Sequence, residues 1–215
     1  LASLRFCLHH ADKHKLDRVI YVIPFTSIID QNAELVRKVL EPKAAPEDSG
    51  KIVLEHHSNI GAENQTWKEK LLTENWDAPV IYTTMVQFLE TFFGAGTRGA
   101  RRMHQLAKSV VVFDEIQTLP IRCVHLFCNA VNFLVNVCGS SIVLCTATQP
   151  LLGAVDRVKG ALELTQQNEI IPDVPHLFEQ LKRVVVADLR KPCGWANDEL
   201  AKLAIEETAK CGSCL

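Results

Sequence analysis

The sequence predicts a layered α/β domain on a mostly parallel sheet, and three observations predict it. Five short apolar runs recur: RVIYVI (18 to 23), KIVLE (51 to 55), PVIYT (79 to 83), SVVVF (109 to 113) and SIVLC (141 to 145). None alternates apolar with polar residues, so each is expected to be buried on both faces, as strands of a parallel sheet are. Helical patterns near 27 to 40, 62 to 75, 84 to 93, 99 to 107 and 121 to 138 separate them, the alternation of a layered fold.

The remaining segments are less regular. Residues 1 to 15 read as a helix from Leu1 onward, with no capping residue and no methionine, which predicts that the chain begins inside or beside a helix. Leu40 to Gly50, with two prolines, a glycine and four charges, is expected to be a surface loop. Residues 151 to 192 lose the rhythm, with Pro172, Pro175 and Pro192 and one more strand-like run, RVVVADL (183 to 189). A domain boundary is placed near 192, so that 1 to 192 form the first domain. Residues 193 to 215 then hold a linker helix (195 to 210) and the first step of a second domain. The chain reads as an excerpt cut at both ends.

Composition excludes several classes. At 215 residues and 47% hydrophobic content the chain can fill a core, and 25 acidic against 23 basic residues give no global field for nucleic acid or membrane. Eight cysteines are scattered, several inside apolar runs, which suits reduced thiols and a cytoplasmic protein. Cys211 and Cys214 have metal-ligand spacing, but no second such pair accompanies them, so two incidental thiols are the simpler reading. From Cys123 to Val155 there is no Asp, Glu, Lys or Arg. There His125, Asn129, Asn132 and Asn136 lay one uncharged polar stripe on an otherwise apolar helix, which predicts a buried helix of a soluble domain and no membrane span. The N-terminus lacks a signal-peptide pattern.

The chemistry concentrates where strands end. The stretch VVVFDEIQTLP sends a buried strand into Asp114 and Glu115. Such an ending is the Walker B arrangement, in which the Asp holds Mg²⁺ through water and the Glu orients a water that attacks a γ-phosphate; a strand that merely ends in solvated acids is the alternative. SIVLC runs into Thr146-Ala147-Thr148-Gln149-Pro150, placing small hydroxyls at the same sheet edge, where open parallel sheets bind ligands. RVIYVI runs into Pro24-Phe25-Thr26-Ser27, and PVIYT, ending in Thr83, into Thr84-Met85-Val86-Gln87. Hydroxyls and free N–H groups at such helix starts suit a nucleic-acid backbone, or they are helix caps.

In this order and at these intervals, PFTSIIDQN, YTTMVQFLE, FDEIQ and TATQP resemble motifs Ia, Ib, II and III of superfamily 2 helicases of the DEAD/DEAH-like kind. YVIPFTSIIDQN together with DEIQ is most similar to the CRISPR-associated helicase-nuclease of type I interference systems, a resemblance covering most of residues 1 to 150. It implies a three-layer RecA-like domain of the P-loop NTPase class, truncated at its N-terminus, and an ATP-dependent DNA motor that serves antiviral defence by unwinding and degrading invading DNA. Asp114 would be the Mg²⁺ carboxylate and Glu115 the catalytic base for ATP hydrolysis. Gln117, Thr146, Ala147 and Thr148 would couple the nucleotide state to a second motor domain. Pro24, Phe25, Thr26, Ser27, Thr83 and Thr84 would touch single-stranded DNA, and a guide-RNA surveillance complex would be the partner.

The sequence departs from that pattern in one decisive place. No G-x-x-x-x-G-K-[ST] occurs, and Gly50-Lys51 is no substitute because Ile52 follows and Ala45 stands where the first glycine belongs. The chain by itself is therefore expected not to hydrolyse ATP. Two rivals stay open: another superfamily 2 translocase, such as a restriction motor, and a non-catalytic DNA-binding α/β module. Gly94, Gly96 and Gly99 fit a dinucleotide fingerprint but follow a helix instead of a strand, so a flexible connection is expected there. Arg98, Arg101, Arg102 and Lys108 form a basic cluster that either meets DNA phosphates or solvates a helix face. The pairs His9-His10 and His56-His57 point to opposite sides of their elements, so neither pair chelates a metal alone.

Overall fold

The apolar runs become five strands: β1 Arg18–Val22, β2 Val53–His56, β3 Val80–Thr83, β4 Ser109–Phe113 and β5 Ser141–Leu144. They lie in a computed structural model that describes residues 1–42, 51–57, 67–147, 151–171, 173–183 and 188–211. All five pair in parallel, in the order β2-β3-β1-β4-β5. The central strand β1 sets Val22 opposite Thr83 on one side and Phe113 on the other.

Successive strand residues serve opposite faces, so the continuous apolar runs feed two cores. Val19, Tyr21, Val80, Tyr82, Val110 and Val112 face α1 (Ala2–His14) and α2 (Thr26–Leu40). Those helices bury Leu4, Cys7 and Ala11, and Ile29, Ala33 and Val36, at spacings of three and four that keep one stripe inward. Ile20, Val22, Ile81, Val111 and Phe113 face the other layer, built from α3 (Trp67–Asn75), α4 (Met85–Phe93) and α6 (Val124–Asn136). Helix α5 (Thr97–Met103) packs against α3 and α4. The result is the three-layer α/β arrangement of RecA-like domains, with the parallel sheet in the middle. Phe113 sits at the centre of the second core, edge-on to Phe88 and Phe127 with ring centroids 4.9 Å away in each case.

The glycine-rich stretch is a tight corner instead of a flexible connection. Gly96, at φ 97°, caps α5, and a Cβ on Gly99 would stand 2.6 Å from the Glu90 carbonyl oxygen. Two helix backbones meet there at a distance only glycine permits. The charge-free stretch also becomes local structure. Helix α6 buries Phe127, Cys128, Ala130, Val131 and Leu134, and no helix among the described residues is long and apolar enough to cross a membrane.

The chain divides into two compact units, Leu1–Leu164 and Thr165–Leu215, so residue 192 falls inside the second. That unit holds α7 (Val174–Leu181), capped by the Asp173 carboxylate accepting from the His176 N–H at 3.1 Å, and α8 (Asn197–Cys211). Ahead of α8 the Lys191 ammonium lies 3.8 Å over the Trp195 ring and 2.8 Å from Glu199. The expected strand at 183 to 189 falls mainly outside the described residues, as do residues 43 to 50 and Cys214. The described cysteines 7, 123, 128, 138, 145 and 193 are unpaired.

Phe113→Ala is expected to cost about 3–5 kcal/mol in urea unfolding, because it removes the shared partner of two edge-on aromatic contacts in a fully buried site. A loss below about 1 kcal/mol would show that the core collapses around the gap.

Candidate functional site

The topology itself marks where a ligand would sit. The chain leaves β1 through α2 toward β2 and leaves β4 through α6 toward β5, in opposite directions over opposite faces. A crevice therefore opens between the carboxyl ends of β1 and β4, the usual binding position of open α/β sheets. Asp114 stands there. Its N–H donates to the Val22 carbonyl at 3.0 Å, the last rung of the β1–β4 ladder.

Burial pushes the half-buried Asp114 carboxyl up from its ordinary range and the neighbouring Glu115 charge adds to this, while the Glu115 N–H, 3.1 Å from Oδ1, pulls it down. Among the described residues no cation pairs with it. The next residue turns sharply. Glu115 adopts φ 51° and ψ 45°, a left-handed conformation that costs a non-glycine residue of order 1 kcal/mol and takes the chain out of the strand direction.

Three side chains then join two strand ends. The Gln117 amide donates to Glu115 Oε2, and Gln117 Oε1 accepts from the Thr146 hydroxyl. Beside them the Ile116 N–H reaches the Cys145 carbonyl at 3.3 Å. Glu115, expected as the catalytic base, is thus connected to Gln117 and Thr146, expected as coupling residues. Ala147 is exposed beside them, and Thr148 lies outside the described residues.

On the other half of the edge the expected nucleic-acid residues separate. Phe25, 53% exposed, and Ser27 face solvent, and Pro24 and Thr26 are half-buried at the start of α2. Thr84 caps α4, its hydroxyl 3.4 Å from the Gln87 N–H. Thr83 is fully buried and donates to the His56 carbonyl at 2.9 Å, so its hydroxyl is committed to bridging β3 and β2.

The histidine pair does split across the sheet. Burial, with help from Arg102 and His57, pushes His56 down to about 3, and its ring meets Trp76 edge-on. His57 turns toward α2, where Nε2 lies 2.9 Å from Asp30 Oδ1 and 3.9 Å from Glu55 Oε2, while Arg37 pairs with Glu55. This network ties α2 to β2. The basic cluster is partly structural as well. Arg102 is buried, donates to Gln87 Oε1 at 2.9 Å and stacks over Trp76, and Arg101 pairs with Glu74 at 3.2 Å.

One feature of the site carries no sequence motif. A cleft beside α1 and α2 has Asp114 in its wall together with Ser3, Tyr21, Asn32 and Tyr82. Tyr21 donates to the Ser3 hydroxyl at 3.2 Å and stacks on Tyr82 at 4.9 Å. Both tyrosines sit within apolar strand runs, which is why sequence alone reads them as core.

Comparison with known proteins adds one relationship. No family model matches the chain. The chain is 24% identical over 213 residues to the CRISPR-associated nuclease/helicase Cas3 of Haloferax volcanii, with 89% of this chain and 22% of the relative covered. The similarity is weak, supports a Cas3-like relationship and spans about 22% of that protein's length.

Because folding raises the Asp114 carboxyl, the folded chain keeps that proton to higher pH than the unfolded chain, and this group makes stability fall as pH rises above the ordinary aspartate range. Asp114→Asn is therefore expected to raise the thermal midpoint near pH 7 and to lose that advantage at about pH 3.5. Midpoints measured at both pH values, with a gap that does not shrink in acid, would overturn the assignment.

Proposed function

We propose that this chain is a motor domain of an ATP-dependent DNA helicase or translocase, of the kind that unwinds and degrades invading DNA in CRISPR interference. The observation that carries this reading is the Asp114, Glu115, Gln117 and Thr146 assembly at the switch point of a parallel sheet. The weak similarity to a nuclease/helicase supports the same direction.

The residues fit a magnesium nucleotide. Asp114 is a half-buried carboxylate without a basic partner among the described residues, so it suits a hard divalent ion held through water. Bound Mg-ATP would supply the γ-phosphate and the cation that neutralises charge developing on it. Glu115 Oε2 is occupied by the Gln117 amide, which leaves Oε1 to take the proton of an attacking water. Because Thr146 holds the other end of Gln117, a displacement of the β5 end relative to β4 reorients Glu115. That is a physical route for coupling hydrolysis to motion. The sequence carries no phosphate-cradling loop, so the chain on its own is proposed not to turn over ATP.

Single-stranded DNA is the proposed track. The N-termini of α2 and α4 point backbone N–H groups at the same sheet edge, with Phe25 and Ser27 exposed and Pro24, Thr26 and Thr84 at their margins. A guide-RNA surveillance complex as the loading partner follows from the family resemblance, a cytoplasmic setting follows from the scattered thiols, and both belong to the proposal. A non-catalytic DNA-binding module would use the same edge without turnover.

In the natural protein that carries this sequence, Glu115→Gln is expected to lower ATP hydrolysis by roughly 10²–10⁴-fold, the usual contribution of a general base, with DNA binding retained. Turnover at the wild-type rate would refute the role. Thr146→Ala is expected to separate the two activities: strand displacement falls while hydrolysis persists, measured side by side on one substrate. Loss of neither would reduce Thr146 to a turn residue.

A further inference from the structure

Helix α6 carries donors that no part of the proposed chemistry uses. His125, Asn129 and Asn132 lie at spacings of four and three, one row on a helix that otherwise buries five apolar side chains. Their partners are three consecutive carbonyls where the chain leaves the hydrogen-bonded turn at 157–159. His125 Nδ1 bonds Gly160 O at 3.0 Å, Asn129 Nδ2 donates to Lys159 O at 3.0 Å, and Asn132 Nδ2 donates to Ala161 O at 2.9 Å.

The segment has no strand ladder of its own, and with Gly160 buried and Ala161 half-buried, their two carbonyls would lie against a helix with no partner if His125 and Asn132 were absent, whereas the Asn129 bond to Lys159 is exposed. Gly160 adopts φ +117°, and a Cβ there would stand 2.2 Å from Asn129 Oδ1, so the seat is shaped around a glycine. Leu152 and Leu162, buried at 4% and 6% exposure, plug the segment into the α6 core, and the Leu162 N–H closes onto the Leu152 carbonyl at 3.1 Å.

Position in the chain gives the arrangement a consequence. From Ala147 to Leu152 the backbone spans no more than about 18 Å even when fully extended, so fixing Leu152 limits how far the β5 end can move. On the other side, Leu164, two residues beyond the buried Leu162, is the last residue of the first unit. The segment held by the stripe thus stands between Thr146 and the second unit along the chain.

We propose that His125, Asn129 and Asn132 form a clasp that fixes segment 152 to 162 and thereby positions the Thr146, Gln117 and Glu115 connection; the functional weight of this rests on the motor reading above. They are positioning residues. Since the acceptors are carbonyls, each side chain must donate, so an isosteric Asn→Asp change destroys the contact although its shape survives.

The test is hydrogen exchange on the whole chain, comparing wild type with Asn129→Asp plus Asn132→Asp, and His125→Leu with His125→Asn, which keeps a donor. The clasp predicts that protection in 151 to 164 drops by roughly tenfold or more per lost bond. It also predicts that protection of the Ile116 and Thr118 amides falls in parallel, and that His125→Asn behaves as wild type. Loss confined to 151 to 164 would overturn the positioning role, and no loss anywhere would overturn the clasp. Exchange needs no nucleotide, so failure of the motor reading would be seen separately, as absence of ATP turnover in the natural protein.

Discussion

The hydrogen bond from the Asp114 N–H to the Val22 carbonyl, at 3.0 Å, is the rung on which the rest of the site depends. It ends the parallel pairing of β4 with β1, and it does so where the connections from those two strands part over opposite faces of the sheet. A ladder that ended one residue earlier would leave the carboxylate on a loose loop. One that ran a residue longer would draw Glu115 into the sheet and forbid its left-handed turn.

That turn redirects the chain after Asp114. Glu115 stores backbone strain of order 1 kcal/mol, and the bonds around it hold it in place: Gln117 to Glu115, Thr146 to Gln117, and Ile116 to Cys145. Each joins the end of β4 either to its own bend or to the end of β5. The chemistry is therefore mounted on two adjacent strands instead of one. A small slide between strand ends becomes a change in carboxylate orientation, whereas Phe88 and Phe127, packed on Phe113 directly beneath Asp114, resist deformation of the strand itself.

The layers outside the sheet show the same division between stiff support and placed polar groups. Arg102, buried, and His56, half-buried, stand beside Trp76, where they knit α3, α4, α5 and β2 together and do not serve a charged surface. Asp30, His57, Glu55 and Arg37 fasten α2 to β2 by the same means. The stripe on α6 satisfies a segment that has no ladder. An uncompensated buried polar group costs more than the contact gains, so most of these groups come in matched sets, with His56 Nδ1, Trp76 Nε1 and Arg37 Nε as the buried exceptions that have no hydrogen-bond partner among the described residues.

The sequence by itself determined the five strands and most helix positions, because short β-branched apolar runs without alternation suit the strands of a parallel sheet, although β5, at the sheet edge, is only half-buried. Asp114 and Glu115 were legible for the same reason, standing where the β4 run stops. Strand order was not legible, and only the tertiary structure set β1 between β3 and β4 and so put the crevice at Asp114. Neither was the difference between Thr83 and Thr84: adjacent hydroxyls read alike in sequence, yet strand alternation sends one into the β2–β3 junction and leaves the other as a cap. Gly99 and Arg102 were ambiguous for a similar reason, since a close backbone approach or a buried ion depends on what lies across the interface. Local pattern specifies which residues are hidden or turned; which partner each one meets is decided by pairing between segments far apart in the chain, and no spacing encodes that.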